Sequence, residues 1–251
     1  MPSEIYTNGY DDPVLAFMQR RRLSTHGRIL EPLLRPGLHL LDLGCGPGNM
    51  TQEIAEQVAP QGSVIGVDRN GSQFPRAHAA AQHLPVRFQE MDAYALAFPD
   101  NTFDGIFSHA LLEHLARPLA VLAEARRVLK PGGFIAVRSP DWGGIVLHPS
   151  SEDLPAAFAA RLELQTRNGG NVHAGRHLGD WLRQAGFTDV RHTASYEIYE
   201  DNAIIVDHLA TQMEVDGQPR HAATWRAWGQ QPNALFAQAW FEAIGYKPNS
   251  P

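Results

Sequence analysis

Apolar residues recur along this chain in two spacings, one helical and one extended. Val14, Leu15, Phe17 and Met18 follow Asp12 and Pro13, an N-cap with proline in the first turn, and predict an amphipathic helix. Thr25 is placed to cap a second helix running to Leu34. Short apolar runs then alternate with helical spacing. Strands are predicted over 38–43, 63–68, 86–89, 103–108 and 134–137, with helices over 50–58, 73–84 and 117–129 between them. Lys130-Pro131-Gly132-Gly133 stops the last of these helices. Such alternation predicts an α/β fold with a doubly wound, mainly parallel sheet, because crossover connections of one hand bring successive strands side by side. Ligands of such sheets sit beyond the carboxyl ends of the strands, here residues 44–48, Asp68, Asp92, 108–114 and 139–142.

Beyond Trp142 the alternation breaks. Helices are predicted over 151–167 and 177–185, a strand over 188–199, helices over 203–213 and 222–229, and a final extended stretch over 235–246. The expected organisation is an N-terminal helical lid over 1–36 and one domain over 37–251, carrying helical cap insertions at about 143–175 and 201–230. No internal repeat or low-complexity tract interrupts it.

Composition narrows the class. With 251 residues, 43% hydrophobic and 19% charged, the chain has enough apolar material for a packed core, which excludes disordered and collagenous classes. A net charge of −6 argues against a general nucleic-acid binder. The one basic run, Arg20-Arg21-Arg22, is read as a solvated helix face. The N-terminus carries no basic and apolar export signal, and no apolar run approaches the roughly 18 residues of a membrane helix, so no membrane association is expected. A single cysteine, Cys45, excludes an intramolecular disulfide and a zinc site built on several thiolates, and fits a cytoplasmic location. A monomer or homodimer is expected.

The chemistry is carried by Leu40-Leu41-Asp42-Leu43-Gly44-Cys45-Gly46-Pro47-Gly48, a strand that ends in an acid and then spaces glycines two apart. Glycines let the backbone turn sharply and approach a ligand, and the following helix points its N-terminus at it. A nicotinamide-dependent oxidoreductase would show G-x-G-x-x-G and an acid about 20 residues later. Here the pattern is D-x-G-x-G-x-G, and an anion at Asp42 suits an ammonium or sulfonium cation better than a diphosphate. Asp68, ending the second strand, is placed to accept from ribose hydroxyls, and Asp92, one strand further on, from an exocyclic amine.

These motifs resemble those of the class I S-adenosylmethionine-dependent methyltransferases, in the small-molecule group that includes the ubiquinone and menaquinone methyltransferases. The likeness runs through residues 41–48, Val64-Ile65-Gly66-Val67-Asp68, Gln89-Glu90-Met91-Asp92-Ala93, residues 96–104 and residues 124–133. It implies a Rossmann-like sheet of seven strands with the last antiparallel, and S-adenosyl-L-methionine as cofactor. Gly44, Gly46 and Gly48, with the small Cys45 between them, would shape the cavity for the methionine part, and Asp42 would organise its ammonium group. Asp68 would hold the ribose, Arg69 would flank the adenine, and Met91, Asp92 and Ala93 would border and recognise it. Ser108 and His109 would border the sulfonium. The implied reaction moves a methyl group to a small-molecule acceptor by in-line displacement. The alternative is a protein of the same fold that keeps the cofactor for cyclisation or regulation.

Acceptor candidates stand around the later strand ends. His109 is expected to act as base or to orient the acceptor, with Glu113 and His114 beside it, and Asp141 and Trp142 as polar anchor and aromatic wall. Tyr6 and Tyr10 could fold over the cofactor, and Arg176 could line the acceptor cavity. No metal site is expected: His173 and His177 have only Arg176 for company, and arginine does not ligate.

Overall fold

In the computed structural model, which describes residues 4–9, 12–199 and 201–249 (with the side chains of Asp12 and Pro13 left aside), the apolar runs become neighbours in one sheet. Its strands are β1 (His39–Leu43), β2 (Ser63–Asp68), β3 (Val86–Glu90), β4 (Phe103–His109), β5 (Leu129–His148), β6 (Thr188–Ile198) and β7 (Leu235–Tyr246). The order is β3-β2-β1-β4-β5-β7-β6. The first five strands are parallel, and β7 lies between β5 and β6, antiparallel to both. The chain leaves β1 towards β2 and β3, then returns to place β4 on the other side of β1. Loops diverge at that switch point and leave a crevice beyond the carboxyl ends of β1 and β4.

Alternation within the strands supplies a core on each face of the sheet. Leu41, Leu43, Ile106, Ile135 and Val137 point to one side, where they meet Val121 and Leu122 of α5 (Pro118–Val128) and Leu178 and Leu182 of α7 (Ala174–Gln184). Their neighbours Leu40, Val64, Phe107 and Ala136 point to the other and pack on Ile54, Ala55 and Val58 of α3 (Asn49–Val58). Burial of each large aliphatic side chain contributes about 1.5–3 kcal/mol. A slip of one residue in β1 would exchange the two faces, so this double set of contacts fixes the register that puts Asp42 at the sheet's end.

A third core lies away from the sheet centre. It joins α6 (Leu154–Arg167), α8 (Asn202–Val215) and α9 (Pro219–Gly229) through Leu154, Val206, Leu209, Met213, Trp225 and Trp228, with Phe236 of β7 fully buried among them. α1 (Asp12–Gln19) leans on this cap: Phe17 stacks on His208 at 5.0 Å and on Tyr199 at 6.1 Å. The cap and α1 thereby stand over the crevice.

Four expectations are corrected. The helix read from Thr25 to Leu34 is instead a four-residue α2 (Leu23–His26) and a separate 3-10 turn, Glu31–Leu33, because Gly27 closes the first turn by donating its N–H to Leu23. Residues 143–148, placed in a helical insertion, continue β5, which is 20 residues long and pairs with the start of β7 after a bulge between Asp141 and Val146. Gly143 and Gly144 permit that bulge, and the β-branched Ile145 and Val146 favour the extended chain that follows. The helix read from His177 begins earlier, at Ala174. The helix after β2, α4 (Phe74–Ala80), is also shorter than read and is entered through a 3-10 turn, Gly71–Gln73.

Gly48, the residue before α3, has φ +80°, and a β-carbon there would lie 2.5 Å from the ring of Phe88. Phe88 is itself buried between Phe74 and Ala77, so the ring has nowhere to retreat. Gly48→Ala is therefore expected to lower the unfolding free energy by about 2–4 kcal/mol. Urea denaturation checks this, and a change below about 0.5 kcal/mol would contradict the packing described.

Candidate active site

A cavity of about 800 Å³ opens at the carboxyl ends of β1 to β4. It lies near the upper end of the roughly 300–1,000 Å³ usual for small-molecule sites. Its floor is the turn between β1 and α3, where Gly44, Gly46 and Gly48 all take positive φ and turn the backbone back on itself. Of the residues expected to hold a cofactor, Asp42, Gly44, Cys45, Gly46, Asp68, Arg69, Met91, Asp92 and Ala93 border this one space. Gly48 does not, and acts through the turn. Ser108 does not either: it is buried and its hydroxyl donates to the carbonyl of Leu43 at 2.9 Å, tying β4 to β1.

The carboxylates at the strand ends differ in partners. Asp42 is 3% exposed and accepts from the Thr51 hydroxyl at 2.5 Å, with no cation beside it among the described residues. Burial pushes its carboxyl up to about 7, aided by the nearby negative charge of Asp68 and opposed by the Thr51 hydrogen bond. Asp68 is also raised by burial, less far because the N–H groups of Asn70 and Gly46 donate to it at 3.1 and 3.0 Å. It thus braces the glycine turn with one oxygen, while each oxygen keeps capacity for a second donor. Asp92 accepts from the N–H of Tyr94 at 2.9 Å and stands at the exposed rim. Cys45 has its thiol pushed well up by burial and by the two aspartates, which keeps it protonated.

His109 ends β4 and borders the cavity. Its Nε2 lies 2.8 Å from Nη1 of Arg138, and since arginine can only donate, Nε2 accepts and Nδ1 carries the ring proton. Burial, with the charges of Arg21, Arg138 and His26, holds the ring well below the usual histidine range. The expected role as base is corrected accordingly: the lone pair is engaged by Arg138, and the other ring nitrogen, Nδ1, is buried.

The other acceptor candidates lie away from the cavity wall. Glu113, 2% exposed, accepts from the Ser139 hydroxyl at 2.9 Å, and burial pushes its carboxyl up to about 7. His114 packs edge-on against Tyr6 at 4.7 Å, and burial drives it down to about 3, so it stays neutral. Asp141 is held by Arg176 through two bonds of 2.6 and 2.7 Å, which outweigh burial and keep its carboxyl below the ordinary range. That pair fastens β5 to α7 and leaves neither partner open to a ligand in the cavity. Trp142 is buried in the cap core under the Arg161 guanidinium. Tyr10 lies outside the described residues.

The N-terminal segment and the α1 region supply walls of which the sequence reading named only Tyr6. Leu15, Met18 and Arg21 border the cavity with Leu111 on the far side, and Glu4 and Tyr6 close another edge. The Glu4 carboxylate accepts from the Tyr94 hydroxyl and from the N–H of Ala116 at 2.7 Å. Asn70 and Glu90 also line the space, and only their places next to Asp68 and Asp92 could have signalled it. Among the described residues no group of three or more His, Cys, Asp or Glu side chains is arranged to hold a metal.

Comparison with known proteins meets this geometry. A family described as a methyltransferase domain matches residues 41–137, the stretch that builds β1 to β5 and the cavity floor. An uncharacterised methyltransferase of Schizosaccharomyces pombe is 32% identical over 193 residues, 72% of this chain and 68% of that protein. The chain belongs to this methyltransferase family. A 37.1 kDa protein of a Streptomyces fradiae transposon is 31% identical over 215 residues, and the demethylmenaquinone methyltransferase of Symbiobacterium thermophilum is 43% identical over 110. These matches cover 85% and 42% of the chain, and the chain spans 59% and 44% of those two proteins. Among solved structures, the Bacillus subtilis protein YcgJ superposes with a TM-score of 0.66 at 17% identity, covering 90% of this chain and 98% of that one. A Haemonchus contortus phosphoethanolamine N-methyltransferase, solved with S-adenosylhomocysteine, gives 0.60 at 18% over 90% of this chain and 52% of its own. The [4+2]-cyclase SpnF gives 0.59 at 19% over 99% of this chain and 87% of its own. These likenesses share the methyltransferase fold.

Asp42 tests whether a cationic ligand fits this methyltransferase site. A buried carboxyl with no counter-ion holds a proton that a nearby ammonium or sulfonium would displace, and the donor set around it is complementary to such a group. Because its pKa is raised in the folded state, the associated stability is fully present below about pH 4 and is lost as pH rises through about 7. Asp42→Asn keeps an acceptor for Thr51 but cannot ionise. Urea titrations from pH 4 to 8 should show a flatter slope in this variant and a gain of about 1–3 kcal/mol over the parent at pH 8. Parallel curves would show that Asp42 ionises freely in the folded protein.

Proposed function

We propose that the protein transfers a methyl group from S-adenosyl-L-methionine to a small-molecule acceptor by in-line displacement. The observation that carries this reading is the convergence of Asp42, the glycine turn, Asp68 and Asp92 on one cavity large enough for a cofactor and a second molecule. S-adenosylmethionine supplies a methyl group already activated by its sulfonium. Asp42 holds the ammonium end, directly or through water, Asp68 the ribose hydroxyls, and Met91, Asp92 and Ala93 the adenine edge. The glycine turn lets the backbone lie against the methionine part.

Little else is asked of the chain. Rate comes from alignment in a space from which water is kept out. The N-terminal lid, with Tyr6 and the first helix, excludes solvent on one side, and the His109 ring helps to position the acceptor as part of the wall. Cytoplasmic residence fits a chain with a single cysteine, Cys45, and among the described residues no helix is long and apolar enough to cross a membrane. The whole-fold likeness to a cyclase keeps a second reading, in which the cofactor is bound but no methyl is transferred.

Calorimetry with S-adenosylhomocysteine, followed by a metabolite screen for its release from S-adenosylmethionine, separates these readings. Binding with turnover supports methyl transfer, and binding without any turnover supports the second reading. Asp68→Ala should weaken S-adenosylhomocysteine binding by about 1–3 kcal/mol through lost hydrogen bonds to the ribose. Unchanged affinity would remove Asp68 from the site.

A further inference from the structure

The charges around the cavity are unevenly placed. Asp42, Asp68, Glu90 and Asp92 stand at the end formed by β1 to β3, with Arg69 beside Asp68. Arg117 is occupied by the face of Tyr94, 4.7 Å from its ring centre. At the opposite end, beside His109, Met18 and Leu15, the wall carries one further cation, Arg21.

Arg21 makes no ion pair within 4 Å among the described residues. Glu197 shares the side pocket and feels its charge at longer range, but its closer cations are His26 at 3.2 Å and Arg138 at 3.9 Å, and Glu242 is 3.2 Å from Arg138. The Arg21 backbone is fastened, its N–H donating to Met18 and its carbonyl accepting from Asn49. Its guanidinium makes no hydrogen bond within the described residues, stands 5.8 Å from the Phe17 ring centre, and borders both the main cavity and a small side pocket with Tyr199 and Trp240. A half-buried guanidinium with a fixed backbone, an open face and no acceptor has the chemistry of an anion site, since its planar fork matches a carboxylate.

The second candidate for such a role, Arg161, is weaker. It is 2% exposed, donates to Gln165 at 3.1 Å, packs on the Trp142 ring at 4.8 Å and borders neither cavity. Its surroundings account for it without a ligand. Arg21 combines a charge without a close ion pair with space in front of it, and it stands away from the acidic end where Arg69 faces Asp68.

We propose that Arg21 anchors an anionic group, a carboxylate, on the acceptor molecule, and so selects organic acids with an apolar body. The apolar body fits Leu15, Met18 and Leu111, which line the cavity with the His109 ring. Opposite charge at the two ends also sorts the two ligands, because a carboxylate is disfavoured beside Asp68 and the cofactor's ammonium beside Arg21. This rests on the cavity holding S-adenosylmethionine as proposed above.

The test uses a matched pair of probes, benzoate and benzamide, titrated by calorimetry at millimolar concentration into protein saturated with S-adenosylhomocysteine. Benzoate should bind the parent protein at least about ten-fold more tightly than benzamide, Arg21→Ala should abolish that preference, and Arg21→Lys should retain part of it. The affinity for S-adenosylhomocysteine itself should stay within about two-fold in both variants, which also reports that they are folded. No preference for the acid in the parent, no binding of either probe, or a preference that survives Arg21→Ala would overturn the proposal. Failure of S-adenosylhomocysteine to bind the parent would instead overturn the reading of the cavity on which it rests.

Discussion

A carboxyl held out of water, with no cation beside it among the described residues, is the feature around which this molecule is organised. Asp42 sits within β1, flanked by Gly66 and Phe107 of the neighbouring strands, and its one polar partner is a neutral hydroxyl. Nothing in the packing of the sheet calls for a carboxyl there, and an apolar residue would be the less costly occupant. Asp68, one strand away, compounds the penalty through like charge. Two acids placed so close gain by a positive ligand, and the glycine turn, held by the Asp68 carboxylate through Gly46, keeps the backbone open for it.

The rest of the architecture serves to enclose that spot. The N-terminal residues reach across to both the sheet and the cap: Ile5 donates its N–H to Asn168 after α6, Asn8 accepts from Gln212 of α8, and Glu4 accepts from Ala116, just after the 3-10 turn Leu112–His114 that follows β4. The helical cap therefore acts on the cavity through the N-terminal strap, with His114 and Tyr6 between them. Behind His109 a buried network of Arg138, Glu197, Glu242 and His26 fixes the ring's tautomer, and Arg138 lies 4.0 Å from the Trp240 ring centre, so its orientation is set by β6 and β7. Strands distant in sequence thus decide whether a histidine at the cavity donates or accepts.

What could be read from the chain was local. β1 to β4, the glycine turn and the acids at 42, 68 and 92 follow from period-two alternation and turn chemistry within a few residues, so they were legible. The length of β5 was not, because residues 143–148 become a strand only by pairing with Leu235, Phe236 and Ala237. Asp141 and Arg176 looked like ligand-binding groups by their place near strand ends, yet they satisfy each other across 35 residues. Arg21 sat in a basic run that reads as a solvated face; of its neighbours Arg22 turns outward to Glu53 and Arg20 lies over Phe17 and Tyr199, and no periodic signal marks which of the three meets the cavity. Pairing partners far along the chain carry this information, and a single sequence does not display them.

The most direct measurement is a crystal structure of the protein with S-adenosylhomocysteine. The expected result is the ribose hydroxyls within hydrogen-bonding distance of the Asp68 carboxylate, the amino group on the Asp42 side of the glycine turn, and the sulfur facing the end of the cavity that holds His109 and Arg21. A ligand bound outside this cavity, or one whose ribose leaves Asp68 untouched, would contradict the assignment of the strand-end acids to an adenosyl cation.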